Sequence, residues 1–248
     1  MMKNLEGKLA FITGGSRGMG AAIAKRLAGE GASVVFTHSG ANQRKADEVL
    51  QAIKGNGNGG LAIIANNEDP DAVLMAMNSA VKEFGRIDIL INNAGAFSLN
   101  PIEAYSLNEY DQMMNVNVKA VFVASQFAAQ HMKRDGRIIT IGSNMADRVT
   151  FPGGSLYSMS KSALAGLTRG LARDLGDQNI TVNLIQPGPI NTDMNPEDSD
   201  HAPGLVSAMA IKRFGTVEEI AGLVLYLSGK DSGFITGTTI TIDGGYNS

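Results

Sequence analysis

Lys8-Leu-Ala-Phe-Ile-Thr-Gly-Gly-Ser-Arg-Gly-Met-Gly20 decides the architecture of this 248-residue chain. Its first five residues, Lys8 and the apolar run Leu9 to Ile12, are of strand length, and Met19 to Glu30 continues with helical periodicity. Gly14, Gly18 and Gly20 fall at the hand-over from strand to helix. Glycine there lets the backbone turn tightly and approach a pyrophosphate that the helix N-terminus stabilises. Gly14, Ser16, Arg17, Gly18, Met19 and Gly20 therefore read as a dinucleotide cradle. A glycine-rich turn without a ligand is the competing reading of this stretch alone.

The same alternation runs through the rest of the chain. Strands are expected at Lys8 to Ile12, Ser33 to Thr37, Leu61 to Ala65, Ile87 to Asn92, Arg137 to Ile141, Ile180 to Ile185 and Thr239 to Ile242. Helical patterns lie near Met19 to Glu30, Gln43 to Ile53, Pro70 to Phe84, Leu107 to Lys133, Leu156 to Leu175 and Val217 to Leu227. Strands and helices in strict alternation imply an α/β fold, a doubly wound parallel sheet of seven strands with helices on both faces. Residues 1–248 read as one domain, and Gly55 to Gly60 as a turn within it. Asn191 to Ile211 breaks the rhythm with Pro196, Pro203 and an acidic cluster of Glu197, Asp198 and Asp200. It follows the sixth strand at the carboxyl edge, where such sheets bind ligands, so residues 191–211 are read as a substrate lid, part loop and part short helix.

Composition excludes several chemistries. With no cysteine there is no disulfide, thiolate metal site or thiol nucleophile. A formal charge of -3 with interspersed signs gives no basic footprint for nucleic acid or anionic lipid. No apolar run approaches the ~20 residues of a membrane span, and the opening Met1 to Gly7 lacks a signal-peptide core, so a cytoplasmic protein acting on a small molecule is expected. His38, His131 and His201 have no metal-ligand spacing, and no metal is expected.

Tyr157-Ser-Met-Ser-Lys161 supplies the reactive groups. On one helix, residues four apart share a face, so phenol and ammonium project together. A nearby cation with an oxidised nicotinamide is expected to lower the phenol from its usual ~10 toward neutrality, where a general acid or base works well. Ser143, just past the fifth strand, can hold a carbonyl oxygen. Asn92-Asn93-Ala94-Gly95 closes the fourth strand with amides and a glycine. Asn66, with Asn67 beside it, ends the third strand where an amide can meet adenine. The second strand ends in Thr37-His38-Ser39 without the carboxylate that binds a ribose 2′-hydroxyl, and Arg17 stands in the glycine loop, which favours NADP(H) over NAD(H). Arg44 and Lys45 could add to this, but a solvated helix face is the better reading of both.

Along essentially its whole length the chain resembles the short-chain dehydrogenase/reductase family. The resemblance rests on Thr13-Gly14-x-x-x-Gly18-x-Gly20, Asn92-Asn93-Ala94-Gly95, Asn117, Ser143, Tyr157-x-x-x-Lys161 and Pro187-Gly188, all in order. It implies a Rossmann-type fold and a tetrad. Tyr157 exchanges the proton, and Lys161 binds the nicotinamide ribose and lowers the tyrosine pKa. Ser143 orients the carbonyl, and Asn117, chosen over Asn115, anchors a relay water. Pro187-Gly188-Pro189-Ile190-Asn191-Thr192 resembles the nicotinamide loop, with the Ile190 backbone on the carboxamide and the Thr192 hydroxyl near the cofactor. Asn66 stands where the family often has Asp. Carrier-protein reductases of the family place basic groups beside the entrance; Arg134 matches one, while Gln178 replaces a second. The expectation is hydride transfer between nicotinamide and a carbonyl or secondary alcohol, in a homotetramer. A 3-oxoacyl thioester reductase, or a nucleotide-binding regulator on the same fold, are the alternatives.

Overall fold

The computed structural model describes residues 4–248; residues 1–3, on which part of the expectation about the opening segment rests, lie outside the described residues. Seven strands, β1 (Leu9–Ile12), β2 (Ser33–His38), β3 (Gly60–Ile64), β4 (Ile89–Asn92), β5 (Arg137–Ile141), β6 (Thr181–Pro187) and β7 (Thr239–Ile242), form one parallel sheet in the order β3-β2-β1-β4-β5-β6-β7. Every expected strand is present, within two residues at each end. The central strands β1, β4 and β5 are buried throughout, so they read as continuous apolar runs rather than alternating ones.

Helices α1 (Gly18–Gly29), α2 (Gln43–Gly55) and α8 (Val217–Ser228) cover one face. The other carries α3 (Pro70–Phe84), α4 (Leu107–Met114), α5 (Ala120–His131) and α6 (Ser155–Leu175). Each face has its own core: Ile23, Leu27, Phe36 and Val224 on the first, Phe11, Met77, Leu90 and Phe127 on the second. Local chemistry sets the helix starts. Asp69 caps α3 by accepting from the Asp71 and Ala72 amides, with Pro70 in the first turn, and α4 and α8 begin with Ser106/Glu109 and Thr216/Glu219 capping boxes.

One expectation needs correction. The long helix Leu107 to Lys133 is interrupted by a π-turn over Asn115–Lys119 and ends at His131. The segment after β6 combines loop with the short helix α7 (Ala202–Ala208), which leads into a small core of its own, Ala202, Met209, Phe214 and Tyr246.

Candidate active site

The winding of the sheet reverses between β1 and β4, and the loops leaving their carboxyl ends part around a cleft of about 340 Å³. Such a switch point is where open α/β sheets take ligands. The glycine loop is fixed from both sides: Thr13 Oγ1 accepts from the amides of Asn93 (3.0 Å) and Ala94 (3.1 Å), and Asn93 Nδ2 donates to the carbonyls of Thr13 (3.0 Å) and Gly14 (2.9 Å). A Cβ at position 20 would lie 2.2 Å from the Gly14 carbonyl oxygen, so only glycine lets α1 start this close to the strand. Gly18 takes φ +53°, and a Cβ there would meet only Thr192, at 3.6 Å. No side chain caps α1, which leaves the first-turn amides of Gly18, Met19 and Gly20 directed at the cleft they line. Uncapped amides beside a close backbone approach fit a dinucleotide pyrophosphate.

At one end of the cleft stand Ser16, Arg17, His38, Ser39 and Asn66. His38 is buried and its Nδ1 accepts from the Gly40 amide at 3.2 Å, so the neutral ring carries its proton on Nε2. Burial holds its pKa below the usual histidine value, with Asp47 opposing more weakly. The Asn66 side chain accepts from the Glu68 amide at 3.2 Å, and Asn67, buried beside it, also faces the cleft. No carboxylate stands at the end of β2. Arg44 pairs with Glu48 at 2.9 Å on the helix surface, as expected. Lys45 does not stay on that surface: its Nζ reaches Asp193, in the segment after β6, at 2.5 Å. Its position in the first turn of α2, facing that segment, explains the departure.

At the other end, Tyr157 and Lys161 share one face of the first turns of α6 and both line the cleft. Ser143 Oγ accepts from the Met145 amide at 3.2 Å and acts on the phenol from close by, and Phe97 meets the Tyr157 ring edge-on at 4.8 Å between centroids. Lys161 Nζ donates to the Ile141 carbonyl at 3.2 Å and stands 5.8 Å from the Tyr157 ring centre. An ammonium has three donors, and Ile141 takes one. Asn117 is fully buried in the π-turn, whereas Asn115 is half-exposed. The Asn117 side chain accepts from the Ala96 amide (2.8 Å) and donates to the Ala96 carbonyl and Ser160 Oγ (3.0 Å each). A Cβ at Gly95 would meet Lys161 Nζ at 3.2 Å and Asn117 Oδ1 at 3.5 Å, so these groups converge across a single glycine.

Within the protein alone, burial sets the direction for both reactive groups. Burial pushes Tyr157 above the usual tyrosine value, and nearby Ser143 opposes it less strongly. Burial also pushes Lys161 down to about 8. The physical reason is that removing either group from water disfavours its charged form.

Pro187 ends β6, and Gly188 is pressed against β7, where a Cβ would lie 2.5 Å from Asp243 Cβ. Gly215 accepts from the Asn191 amide (3.0 Å) and donates to the Pro189 carbonyl (2.9 Å). This pairing leaves the N–H and C=O of Ile190 itself on the opposite side of the extended chain, while its side chain is buried. Thr192 lines the cleft above Gly18. Among the described residues no cluster of His, Asp and Glu is arranged to hold a metal.

The sequence profile of a family described as enoyl-(acyl carrier protein) reductase matches residues 14–247. A solved short-chain dehydrogenase/reductase from Serratia marcescens BCRC 10948 superposes with a TM-score of 0.97 at 53% identity, covering 99% of this chain and 100% of that one. The chain is a short-chain dehydrogenase/reductase. A family relative from Burkholderia cenocepacia J2315, solved in complex with NADP, gives a TM-score of 0.97 at 48% identity over 99% of this chain and 100% of that one. The cyclic-di-GMP-binding biofilm dispersal mediator protein of Escherichia coli K12 is 42% identical over 97% of each chain.

Within this dehydrogenase/reductase the expected residues gather well. Fifteen positions from Gly14 to Thr192, with Ala94 and Gly95 among them, line the cleft; Asn117 approaches it through Gly95, while Ser143, Pro187, Gly188 and Ile190 are not among its lining residues, and Ile190 borders a second, smaller pocket. Arg134 does not gather. It precedes β5, at the amino edge of the sheet, and donates to the Asp177 carbonyl at 3.2 Å, so within this chain it lies away from the cleft entrance. Ala65, Ala96, Val116, Ile141 and Gly142 line the cleft without having been singled out, and so does Glu68. The first five contribute backbone or small apolar surface, which leaves no motif, and Glu68 is a single carboxylate just past the third strand. Phe97 was missed as well, and its place two residues after Gly95 was the available signal.

Proposed function

We propose that this enzyme is an NADP(H)-dependent reductase of small ketones, running reversibly as an alcohol dehydrogenase, with residues 191–211 as the substrate lid of a single domain. The observation that carries the reading is the partly buried Tyr157 phenol on the wall of the cleft, with Lys161 Nζ 5.8 Å from its ring centre on the same helix face.

The first-turn amides of α1 would hold the pyrophosphate, Arg17 and Ser39 with His38 would take the 2′-phosphate end, and the Ile190 backbone and Thr192 would meet the carboxamide. When bound, NADPH supplies the hydride. Ser143 holds the substrate oxygen beside the phenol. Tyr157 gives its proton to that oxygen as the carbonyl carbon gains the hydride, leaving an alcohol and a transient phenolate. A phenol whose pKa burial has raised is a donor at neutral pH, which suits reduction. Lys161, with two N–H donors to spare, would hold the nicotinamide ribose, and its charge would stabilise the phenolate. The Asn117 side chain is consumed in fixing Ala96 and Ser160, so its main chain holds the relay water.

The regulator reading draws on the biofilm dispersal relative, but the complete set of Asn117, Ser143, Tyr157 and Lys161 serves turnover and has no evident use in a sensor. Thioester reduction is disfavoured by the position of Arg134 at the far edge. The deciding experiment measures NADPH and NADH oxidation against ketones, diketones and 3-oxoacyl esters, with Tyr157→Phe alongside. Turnover lost in the variant supports the reductase; tight NADPH binding without turnover on any compound supports the regulator; selective turnover of oxoacyl esters supports the thioester enzyme.

Homotetramer formation accompanies this reading. Leu107, Phe122 and Met159, on α4, α5 and α6, are 82%, 47% and 45% exposed, and Phe234 is fully exposed. Large apolar groups left this open suit contacts between copies. Sedimentation giving a stable monomer at micromolar concentration would contradict it. A cytoplasmic location fits an enzyme that draws on the cell's reduced dinucleotide pool, and the cysteine-free sequence is compatible with it. No helix among the described residues is long and apolar enough to cross a membrane.

A further inference from the structure

Lys45 and Asp193 are 148 residues apart in sequence, and their ion pair at 2.5 Å ties the first turn of α2 to the segment that leaves β6. Asp193 follows Thr192, whose side chain faces Gly18, and it precedes Met194, which lines the cleft. Its carboxylate therefore sits at the rim of the glycine loop. Two cations act on it there. Lys45, by hydrogen bond and charge, and then Arg17, by charge, hold Asp193 below the usual carboxylate range. Arg17 is also the cation that lines the cleft beside His38 and Ser39, where the proposed 2′-phosphate would lie.

Building on the NADP(H) reading above, we infer that Asp193 is a coenzyme-specificity residue: its carboxylate is an internal competitor of the NADP(H) 2′-phosphate for Lys45 and Arg17. A phosphate dianion with three acceptor oxygens is a stronger partner for these cations than one carboxylate. NADP(H) takes the cations and frees Asp193, whereas NAD(H), with a neutral 2′-hydroxyl, leaves the pair intact. The same exchange releases the tether between α2 and residues 191–211, so the identity of the coenzyme is passed to the segment over the substrate. Both side chains are partly exposed, 36% for Lys45 and 56% for Asp193, so the competition is modest. Exposed ion pairs of this kind shift equilibria by about two- to five-fold at low salt.

The test is binary binding of NADPH and NADH to the full chain, read by the fluorescence of the reduced nicotinamide at low and high salt. Asp193→Asn should tighten NADPH about two- to five-fold and leave NADH unchanged, with the gain shrinking in high salt. Lys45→Gln should weaken NADPH, and adding Asp193→Asn to it should give less than the single change gives, because one of the contested cations is gone. Equal effects of Asp193→Asn on both coenzymes, or weaker NADPH binding, would overturn the competition and make the pair a simple lid tether. NADH binding more tightly than NADPH in the parent would overturn the NADP(H) reading itself, a separate result. Thermal melts without coenzyme check that each variant is folded.

Discussion

Strand β5 carries a buried cation at each end, and the two are treated differently. Arg137, at its start, is 7% exposed, and its guanidinium donates to the carbonyls of Asp135 (3.0 Å), Gly136 (2.9 Å) and Gly229 (3.3 and 3.4 Å). Lys161 meets the other end through Ile141, is 4% exposed, and has that single carbonyl as its hydrogen-bond partner. Burial lowers the pKa of both; the Asp135 charge counteracts this for Arg137, and no carboxylate does so for Lys161. The saturated cation belongs to the scaffold, at the amino edge. The undersatisfied one faces the cleft with donors to spare, which is the state a binding group must be in before its ligand arrives.

The largest effect expected is on chemistry. Tyr157→Phe keeps the ring and its contact with Phe97 but removes the proton, and should lower kcat by roughly 10²–10⁴, the usual contribution of a general acid. NADPH binding measured separately should hold; loss of both would place Tyr157 among the scaffold groups instead. Next comes Arg137→Met, which strands several carbonyls at once and should cost about 3 kcal/mol in denaturant unfolding, with kcat per folded molecule unchanged. If activity fell in step with stability, the division between the two ends of β5 would fail.

Lys161→Met should do the reverse, lowering turnover by less than Tyr157→Phe does while stabilising the fold. The drop from 10.5 to about 8 corresponds to roughly 3 kcal/mol of disfavoured charge, so a gain of about 1–3 kcal/mol near pH 7 is expected, reduced by the hydrogen bond Ile141 loses. The sign follows from proton counting. Between pH 8 and 10.5 the unfolded chain holds the lysine proton and the folded chain has released it, so parental stability rises with pH across that window and the advantage of the variant fades. Reductase activity should decline over the same rise in pH as Lys161 loses its charge. A variant no more stable than the parent at pH 7 would mean that Lys161 is better solvated than its burial implies.

The smallest effect provides the exposed counterpart. Glu219 pairs with Arg213 at 2.7 Å and closes the capping box of α8, and these contacts hold it down to about 2. Both side chains are more than 40% exposed, so Glu219→Gln should cost about 1 kcal/mol or less. That contribution is present above the ordinary glutamate range and is lost as pH falls toward 2, which acid titration of the two melting curves would show.

The sequence disclosed the sheet because parallel strands buried on both faces read as short apolar runs, and β5 and β7 were placed to the residue. The glycine loop and the Tyr157/Lys161 pair were legible because their spacing has a geometric meaning. What escaped was set by neighbours distant in sequence. The pKa directions of Tyr157 and Lys161 depend on how completely the fold excludes water, which a four-residue spacing does not express. Lys45 looked like a solvated helix residue because its partner, Asp193, arrives from another part of the chain. Arg134 was placed at an entrance by analogy, and the order of α5 and β5 puts it at the opposite edge.

The π-turn at Asn115–Lys119 makes the chain intolerant of length changes at one place. It holds one residue more than a regular helix would use, and removing any one of the five would let α4 and α5 merge into an uninterrupted spiral. Each residue of helix turns the chain by roughly 100°, so such a deletion would swing Asn117 off Ala96 or rotate the whole of α5 against the sheet. The Gly55 to Gly60 turn, exposed for much of its length, can absorb an insertion that this short stretch cannot.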